Sequence, residues 1–350
     1  MRDNTGIFTD VVSKKTYIID RYQMRTIFDG DIVRARKEKV KKKFKRTNSV
    51  FVVAIEKRRR ENILGIYRET ERGYFLMPIG KHFGGKHRIE IKNLKPIRGQ
   101  VVLCKIDSRG DKTNKFTLNL LEIWGFPQDF GIEAKVQIFL HELPNYFGSD
   151  ALKLAEKMDS KISHQEINKR QDLRKESFVT IDGEDAKDFD DAVYCKKIRE
   201  KFNLKVAIAD VSHYVKEESS IDIAARDRGT SVYFPRMVVP MLPEKLSNDL
   251  CSLRPKRDRL VLVCDMLIND SGRIEKYRFF EAVIESKARF TYQQVEEILR
   301  SQCYENQLVL ESLKNLAKLH KKFRARRVSK GALVFQTKEV SVKFKEDGCV

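Results

Sequence analysis

The feature that most restricts the fold of this 350-residue chain is a weak internal repeat in its N-terminal third. The runs DGDIVRAR (Asp29–Arg36) and RGQVVLCK (Arg98–Lys105) lie roughly 70 residues apart. A basic loop and another β-rich run follow each of them. Short β-runs that recur at one period, with Gly and Asp between them, predict two copies of one small antiparallel unit.

Each copy of the repeat contains four β-rich runs bounded by turn residues. The runs of the first copy are GIFTDVV, TYIID, GDIVRARK and SVFVVAIEK, and those of the second are RGYFLMPIG, HRIEIK, GQVVLCKI and KFTLNLLEI. Two small antiparallel barrels of the oligonucleotide-binding type explain this repeat. The predicted barrels occupy residues 1–60 and 61–127.

Beyond the repeat, the pattern becomes helical and then mixed. DALKLAEKMDSKI places Leu152, Ala155 and Met158 at helical spacing, so residues 128–171 are predicted to form a helical connector. Residues 172–350 mix strand-like runs such as LKVAIADV and RLVLVCDMLI with helix-like runs such as TYQQVEEILRS. The predicted fold class is α+β and multidomain, with two small β-barrels followed by a mixed α/β domain.

The charge of the chain favours a polyanionic partner. Lys and Arg total 70 against 50 Asp and Glu, which gives a formal net charge of +20 at pH 7. Clustered cations release phosphate counterions, so nucleic acid is the favoured partner, and a merely solubilising surface is the alternative. Two segments support binding: the basic run Arg34–Arg46, and RGYF at Arg72–Phe75, which sets aromatic rings beside charge. A solvated hairpin loop and core aromatic residues are the respective alternatives, and only one of Tyr74 and Phe75 can face out of a strand.

Cysteine usage and the N-terminus indicate a cytoplasmic protein. The six cysteines form no C-x-x-C pair, which predicts free thiols rather than a zinc site or a disulfide framework. The start, MRDNTGIFTD, lacks the basic and apolar layout of a signal peptide. The longest apolar run, near LVLVCDMLI, is far shorter than the ~20 residues that span a bilayer, so no membrane partner is expected.

One acidic stretch interrupts this basic chain. Seven acidic residues and a single cation, Lys187, lie between Glu176 and Asp191. SFVTI predicts a strand and AVYC begins another, so the strand ends and the loop between them gather four carboxylates: Asp182, Asp188, Asp190 and Asp191. Mg²⁺ takes oxygen ligands of this kind and relieves their mutual repulsion, and a pair of ions about 4 Å apart would assist phosphodiester cleavage. The alternative is an acidic surface turn, and Glu184 and Asp185 are expected to be surface charges in either case.

Five motifs follow one another in this region: TIDGEDAKDFDDAVYC, VAIADVSHYV, RGTSVYFP, VVPMLPEKLSNDLCSL and DRLVLVCDM. In their order and spacing they resemble the catalytic RNB domain of the ribonuclease II superfamily. The repeat resembles, more weakly, the paired cold-shock domains of that family. The resemblance implies a processive 3′-to-5′ exoribonuclease that uses Mg²⁺ to hydrolyse single-stranded RNA to nucleoside 5′-monophosphates.

The resemblance also implies roles for particular residues. The four aspartates of the acidic stretch correspond to the catalytic aspartates that surround the metal and the attacking water: Asp182, Asp188, Asp190 and Asp191. Tyr233, in SVYFP, corresponds to the aromatic residue that stacks on a base near the RNA 3′ end, with a core strand tyrosine as the alternative.

Four other residues of these motifs receive no functional role. Asn248, Cys251 and Arg259 are expected to be structural, and Cys251 lacks a paired base that would make it a nucleophile. His213 lies where the family varies.

The chain also departs from the family pattern. The family's catalytic domain continues well past Val350 and supplies there an arginine that contacts the scissile phosphate. By comparison with that pattern, the N-terminus is expected to begin inside the first barrel. We therefore expect an internal piece of a longer enzyme, weak or inactive by itself, with a non-catalytic RNA-binding fragment as the alternative. At full length the protein is expected to be monomeric.

Overall fold

The computed structural model describes residues 6–20, 22–37, 49–80, 86–107, 117–235, 237–333 and 335. These residues form two compact units, one ending at Leu143 and the other beginning at Pro144. Most of the basic run Arg34–Arg46, from residue 38 onward, lies outside the described residues, as do the final strand-like runs after residue 335. None of the described helices is long and apolar enough to cross a membrane.

A four-stranded sheet begins the first unit. Its strands are β1 (Gly6–Thr9), β2 (Thr16–Ile19), β3 (Ile32–Lys37) and β4 (Ser49–Lys57). In the order β1-β2-β4-β3, only the β2–β4 pair is parallel. Alternate residues of β4, such as Val50 and Val52, are buried against Tyr17 and Ile19, as expected of a strand with one solvated face.

A closed five-stranded barrel follows in the same unit. Its strands are β5 (Asn62–Thr70), β6 (Gly73–Pro78), β7 (His87–Glu90), β8 (Val101–Asp107) and β9 (Thr117–Gly125), in the order β5-β6-β7-β9-β8. The core contains Ile63, Tyr67, Leu76 and Leu118, all nearly or fully buried. β5 pairs with both β6 and β8 and thereby closes the barrel.

The sheet and the barrel share one strand arrangement, as the repeat predicts. The order and directions of β1-β2-β4-β3 match those of β6-β7-β9-β8, including the parallel central pair. The pairs β3–β4 and β8–β9 each carry two register shifts. Among the described residues, no strand of the first copy takes the place of β5. One closed barrel is therefore established, and closure of the first copy remains a prediction.

Three helices follow the barrel: α1 (Ile132–Leu140), α2 (Ser149–Glu156) and α3 (His164–Lys169). α1 belongs to the first unit, where Ile132 and Val136 pack against the barrel. The buried residues of α2 are Ala151 and Ala155, whereas Leu152 is exposed and Met158 lies beyond the end of the helix. The spacing of Leu152, Ala155 and Met158 thus predicted the helix, and Ala155 does lie on its buried face, together with Ala151 rather than Leu152.

A seven-stranded sheet is the centre of the second unit. Its strands, in chain order, are β10 (Gln171–Asp172), β11 (Val179–Asp182), β12 (Asp191–Ile198) and β13 (Lys201–Ala209). A hairpin of β14 (Val232–Phe234) and β15 (Met237–Val239) intervenes before β16 (Asp258–Ile268), β17 (Ile274–Glu285) and β18 (Ala288–Thr291). The sheet order is β10-β17-β16-β13-β12-β11-β18, with parallel pairing only at its two edges.

Helices and turns cover both faces of this sheet. They are α4 (Val211–Tyr214), α5 (Ser220–Arg228), α6 (Tyr292–Ser301) and α7 (Gln307–Ser329), with one π-helical turn at Leu246–Leu250. α6 begins with a capping box in which Thr291 and Gln294 bond reciprocally. α7 packs Leu313 and Leu319 on one sheet face, and α2, α5 and the π-helical turn pack on the other.

Candidate active site

The four predicted aspartates lie where two neighbouring strands meet. Asp182 ends β11, in register with Thr291 of β18, and Asp191 begins β12. Asp188 and Asp190 lie in the connecting loop, which we call the aspartate loop (residues 183–190). The loop returns to the sheet at a fixed point because the Ala209 N–H donates to the Asp190 carbonyl at 2.9 Å.

The carboxylates of this loop and of the two flanking strand ends act on one another electrostatically. Burial raises the pKa of Asp182, and the charge of Asp191 adds to that effect, while Arg289 opposes it. Loss of hydration also raises the pKa of Asp190, together with the charges of Asp188 and Asp191. Neighbouring carboxylate charges thus help to raise the pKa values of Asp182 and Asp190, and such a cluster favours the binding of a proton or a cation.

The Oδ2 atom of Asp182 is buried and has no hydrogen-bond partner. Such orphaned buried oxygens are rare in folded proteins, and each calls for an explanation such as an ion. In the part of the chain that the structure describes, no three His, Cys, Asp or Glu side chains already stand in ligating geometry. Like charges repel one another until a cation lies between them, and the all-oxygen donor set is one that suits Mg²⁺.

Tyr233 reaches the aspartate loop from the β14–β15 hairpin. Its hydroxyl donates a hydrogen bond to Oδ2 of Asp188, and this bond raises the pKa of Tyr233 to about 12. The residue is 63% exposed, which excludes the alternative of a core tyrosine. The phenol therefore remains protonated near neutral pH, and the ring is accessible to a ligand.

The other motif residues make structural contacts. Burial raises the pKa of the Cys251 thiol to about 12, so no thiolate is available at neutral pH. Arg259 is 5% exposed and donates to the Ser252 carbonyl, and Asn248 lies in the π-helical turn. His213 lies in α4 with its Nδ1 3.7 Å from a carboxylate oxygen of Glu166.

Arg289 contacts the backbone of the aspartate loop, and no sequence pattern indicated this role. Its Nη2 donates to the carbonyls of Gly183 at 2.6 Å and Glu184 at 2.9 Å. Arg289 follows Gly183 by 106 residues, and nothing in the run ARFTY marks it. Arg289 reaches the loop because β18 pairs in parallel with β11, and the sequence does not reveal that pairing.

Comparison with known proteins places the second unit in a family. Residues 170–350 match the RNB domain. The chain belongs to the RNB-domain family. It is 36% identical to ribonuclease R of Vibrio parahaemolyticus over 333 residues, which are 93% of this chain and 40% of that protein. It is 34% identical to ribonuclease R of Acidithiobacillus ferrooxidans over 339 residues, 95% of this chain and 77% of that protein.

A solved member of the family has the same fold. Ribonuclease R of Mycoplasma genitalium, in complex with ribose-methylated single-stranded RNA, superposes with a TM-score of 0.84 at 30% identity. The match covers 99% of this chain and 55% of that chain. The chain therefore spans about half the length of this relative, and 40% of the Vibrio parahaemolyticus enzyme.

Proposed function

We propose that the aspartate loop is the Mg²⁺-dependent centre of a 3′-to-5′ exoribonuclease that hydrolyses single-stranded RNA to nucleoside 5′-monophosphates. The observation that carries the proposal is Asp182, which has a buried oxygen without a partner and is acted on by the charges of Asp191, Asp188 and Asp190. The exposed Tyr233 donates a hydrogen bond to one of these neighbours, Asp188. The membership of the chain in the RNB-domain family supports the same reaction.

The residues that would hold the ion are those of the loop and the two flanking strand ends: Asp182, Asp188, Asp190 and Asp191. Bound Mg²⁺ supplies positive charge beside the phosphodiester and makes water a better nucleophile at neutral pH. The protein's own part is to keep these carboxylates ionised and oriented. Arg289 contributes, since its charge opposes the raised pKa of Asp182 and its guanidinium binds the loop backbone.

Tyr233 has two separate tasks in this proposal. Its exposed ring offers a face on which the terminal base of the RNA stacks, an interaction worth about 1–3 kcal/mol per base. Its hydroxyl, by donating to Asp188, fixes the direction of that carboxylate.

The first unit provides surfaces suited to RNA. Tyr74 is 42% exposed on β6, and the Lys86 ammonium lies 5.0 Å from the ring centre of the neighbouring Phe75. Arg36 lies over Phe51 in the same way, at 5.2 Å. Aromatic rings next to cations bind bases and phosphates without reading the sequence. We assign these surfaces to the binding of single-stranded RNA by the two cold-shock-like copies.

A second candidate function is an RNA-binding fragment without catalytic activity. The observation that favours it is the coverage, because the chain spans only 40–55% of the Vibrio parahaemolyticus and Mycoplasma genitalium relatives.

One assay separates the two candidates: the 350-residue chain is incubated with 5′-labelled single-stranded RNA, with and without Mg²⁺. The enzyme predicts a ladder of shortened products that requires Mg²⁺. The binding fragment predicts intact RNA that is retarded in a native gel, with affinity that falls steeply as salt rises. Intact RNA in both conditions would reject the proposed activity for this chain.

A further inference from the structure

A buried serine from a distant part of the chain holds the aspartate loop. Ser252 is 0% exposed. Its Oγ donates to the Lys187 carbonyl at 2.9 Å and accepts the Phe189 N–H at 3.1 Å. One hydroxyl thus fixes the backbone on both sides of Asp188. The next residue, Leu253, adds a bond from its N–H to the Phe189 carbonyl at 2.8 Å.

Ser252 is itself held firmly in place. The Nε of the buried Arg259 donates to the Ser252 carbonyl at 2.8 Å, and the Nη2 of Arg259 lies 2.9 Å from Asp249. The Ser252 N–H donates to the Asp249 carbonyl at 3.0 Å. The backbone that carries the Ser252 hydroxyl is therefore fixed by hydrogen bonds at both its N–H and its carbonyl.

The two ends of the aspartate loop have different supports. Arg289 holds the Gly183–Glu184 end, from a position that is partly exposed. Ser252 holds the end that contains Asp188 and Asp190, on either side of Phe189. Phe189 is 9% exposed and packs into the main core of the unit, which makes this end the more rigid of the two.

We infer that Ser252 is a positioning residue for the metal site, which acts by fixing the backbone on both sides of Asp188 and so restricts where Asp188 and Asp190 place their carboxylates. The inference rests on the proposed function. Groups that orient metal ligands typically contribute a factor of about 10 to 100 in metal affinity or activity. Without the hydroxyl, the Phe189 N–H and the Lys187 carbonyl lose their shared partner, and the carboxylates must be ordered when the cation binds.

The substitution Ser252→Ala tests the inference, and Ser312→Ala is its matched control. Ser312, in α7, is 1% exposed, and its Oγ accepts the Cys195 N–H of β12 at 3.0 Å. Each substitution leaves a buried backbone N–H without its partner, so both should destabilise the fold, and Ser252→Ala somewhat more because the Lys187 carbonyl also loses its donor. Only Ser252 touches the aspartate loop.

The main readout is the binding of Mn²⁺ to the 350-residue chain, followed by the loss of the free-ion EPR signal, with Mg²⁺ as competitor. Ser252→Ala is expected to weaken Mn²⁺ binding about 10- to 100-fold, and Ser312→Ala to leave it unchanged. Hydrogen exchange provides a readout without metal. Amide exchange in residues 183–190 should accelerate in Ser252→Ala alone.

Three results would overturn the inference, and they are distinguishable. Equal Mn²⁺ affinity in Ser252→Ala and the wild type would leave the metal site standing and remove the role of Ser252. Equal weakening in both serine variants would show general destabilisation instead of positioning. A wild-type chain that binds no Mn²⁺ would overturn the proposed metal site, and the positioning role with it.

Discussion

Asp182 combines burial with the charges of three neighbouring carboxylates, and its Oδ2 lacks a partner. Its raised pKa means that the folded protein binds a proton there more tightly than the unfolded chain, so its contribution to stability falls as pH rises through that window. We predict that Asp182→Asn raises the free energy of unfolding at neutral pH in the presence of EDTA, by an amount on the order of 1 kcal/mol. Urea denaturation measures this difference.

Asp185→Asn is the matched control for this prediction, because Asp185 is exposed in the aspartate loop that follows Asp182. It should leave the urea midpoint nearly unchanged. Added Mg²⁺ should stabilise the wild type and the Asp185 variant, since a ligand that binds only the folded state stabilises it, and should have less effect on Asp182→Asn. A lower midpoint for Asp182→Asn than for the wild type in EDTA would contradict this electrostatic account.

Only those residues of the candidate site that lie close together in the sequence could be predicted from it. The aspartates stand between two strand-like runs, so spacing and charge were enough to select them. Tyr233 was selected through family resemblance alone, and its role stays a prediction. Ser252 and Arg289 reach the loop through strand pairing and core packing, from 63 and 106 residues away, and their residue types carry no pattern.

At the scale of the element, α7 supports the strand that ends at Asp182. Leu313 is 1% exposed and lies in one cluster with Val179 of β11 and Phe290 of β18. We predict that Leu313→Ala destabilises the second unit by about 2–5 kcal/mol, because it leaves a cavity in this cluster. Urea denaturation measures the change.

Leu308→Ala separates the loss of packing from the loss of helix propensity. Leu308 lies in the same helix and is 65% exposed. This variant should change the free energy of unfolding by no more than about 0.5 kcal/mol. Equal effects of the two substitutions would show that α7 contributes little packing to β11.

Elements with one buried face were predicted well, and those with another pattern were not. β4 alternates buried and exposed residues over Ser49–Val53 and was found directly. β5 was missed because it is buried at three successive residues, Ile63 to Gly65, so the period of two is absent. The four β-rich runs of the first copy do not show whether that copy closes into a barrel, because closure depends on a fifth strand.

At the scale of the whole molecule, one buried arginine joins three separate elements of the second unit. The Arg170 guanidinium follows α3 and lies 2.7 Å from Asp210, the N-cap of α4, and 2.9 Å from Glu166 of α3. It also lies 3.4 Å from Glu281 of β17. We predict that Arg170→Met destabilises the unit by about 3–5 kcal/mol near neutral pH, because it leaves buried Asp210 without its counterion.

The same network gives the protein a defined acid sensitivity. A hydrogen bond from Arg170 lowers the pKa of Glu166, and bonds from Ser212 and Arg170 lower that of Asp210 despite the opposing effect of burial. Carboxylates with lowered pKa values stabilise the fold above their ordinary values of 4.5 and 3.8, and this stabilisation is lost as pH falls through the folded-state values. Urea midpoints should therefore fall on acidification in the wild type and fall less in Arg170→Met.

Lys169→Met is the control for the arginine. Lys169 is adjacent in sequence and lies 3.9 Å from Glu166, but its side chain is 72% exposed. Its removal should change neither the midpoint near neutral pH nor the acid profile appreciably. An unchanged acid profile in Arg170→Met would show that the network does not govern the response to pH.

The central proposal is that the aspartate loop and its flanking strand ends form a Mg²⁺-dependent centre for the cleavage of RNA. The release of nucleoside 5′-monophosphates from single-stranded RNA tests it most directly, with Mg²⁺ present and the wild type, Asp190→Asn and Asp185→Asn compared at equal concentration. The account predicts Mg²⁺-dependent release by the wild type and Asp185→Asn, and a loss on the order of 100-fold or more in Asp190→Asn. Release by Asp190→Asn at the wild-type rate would contradict it.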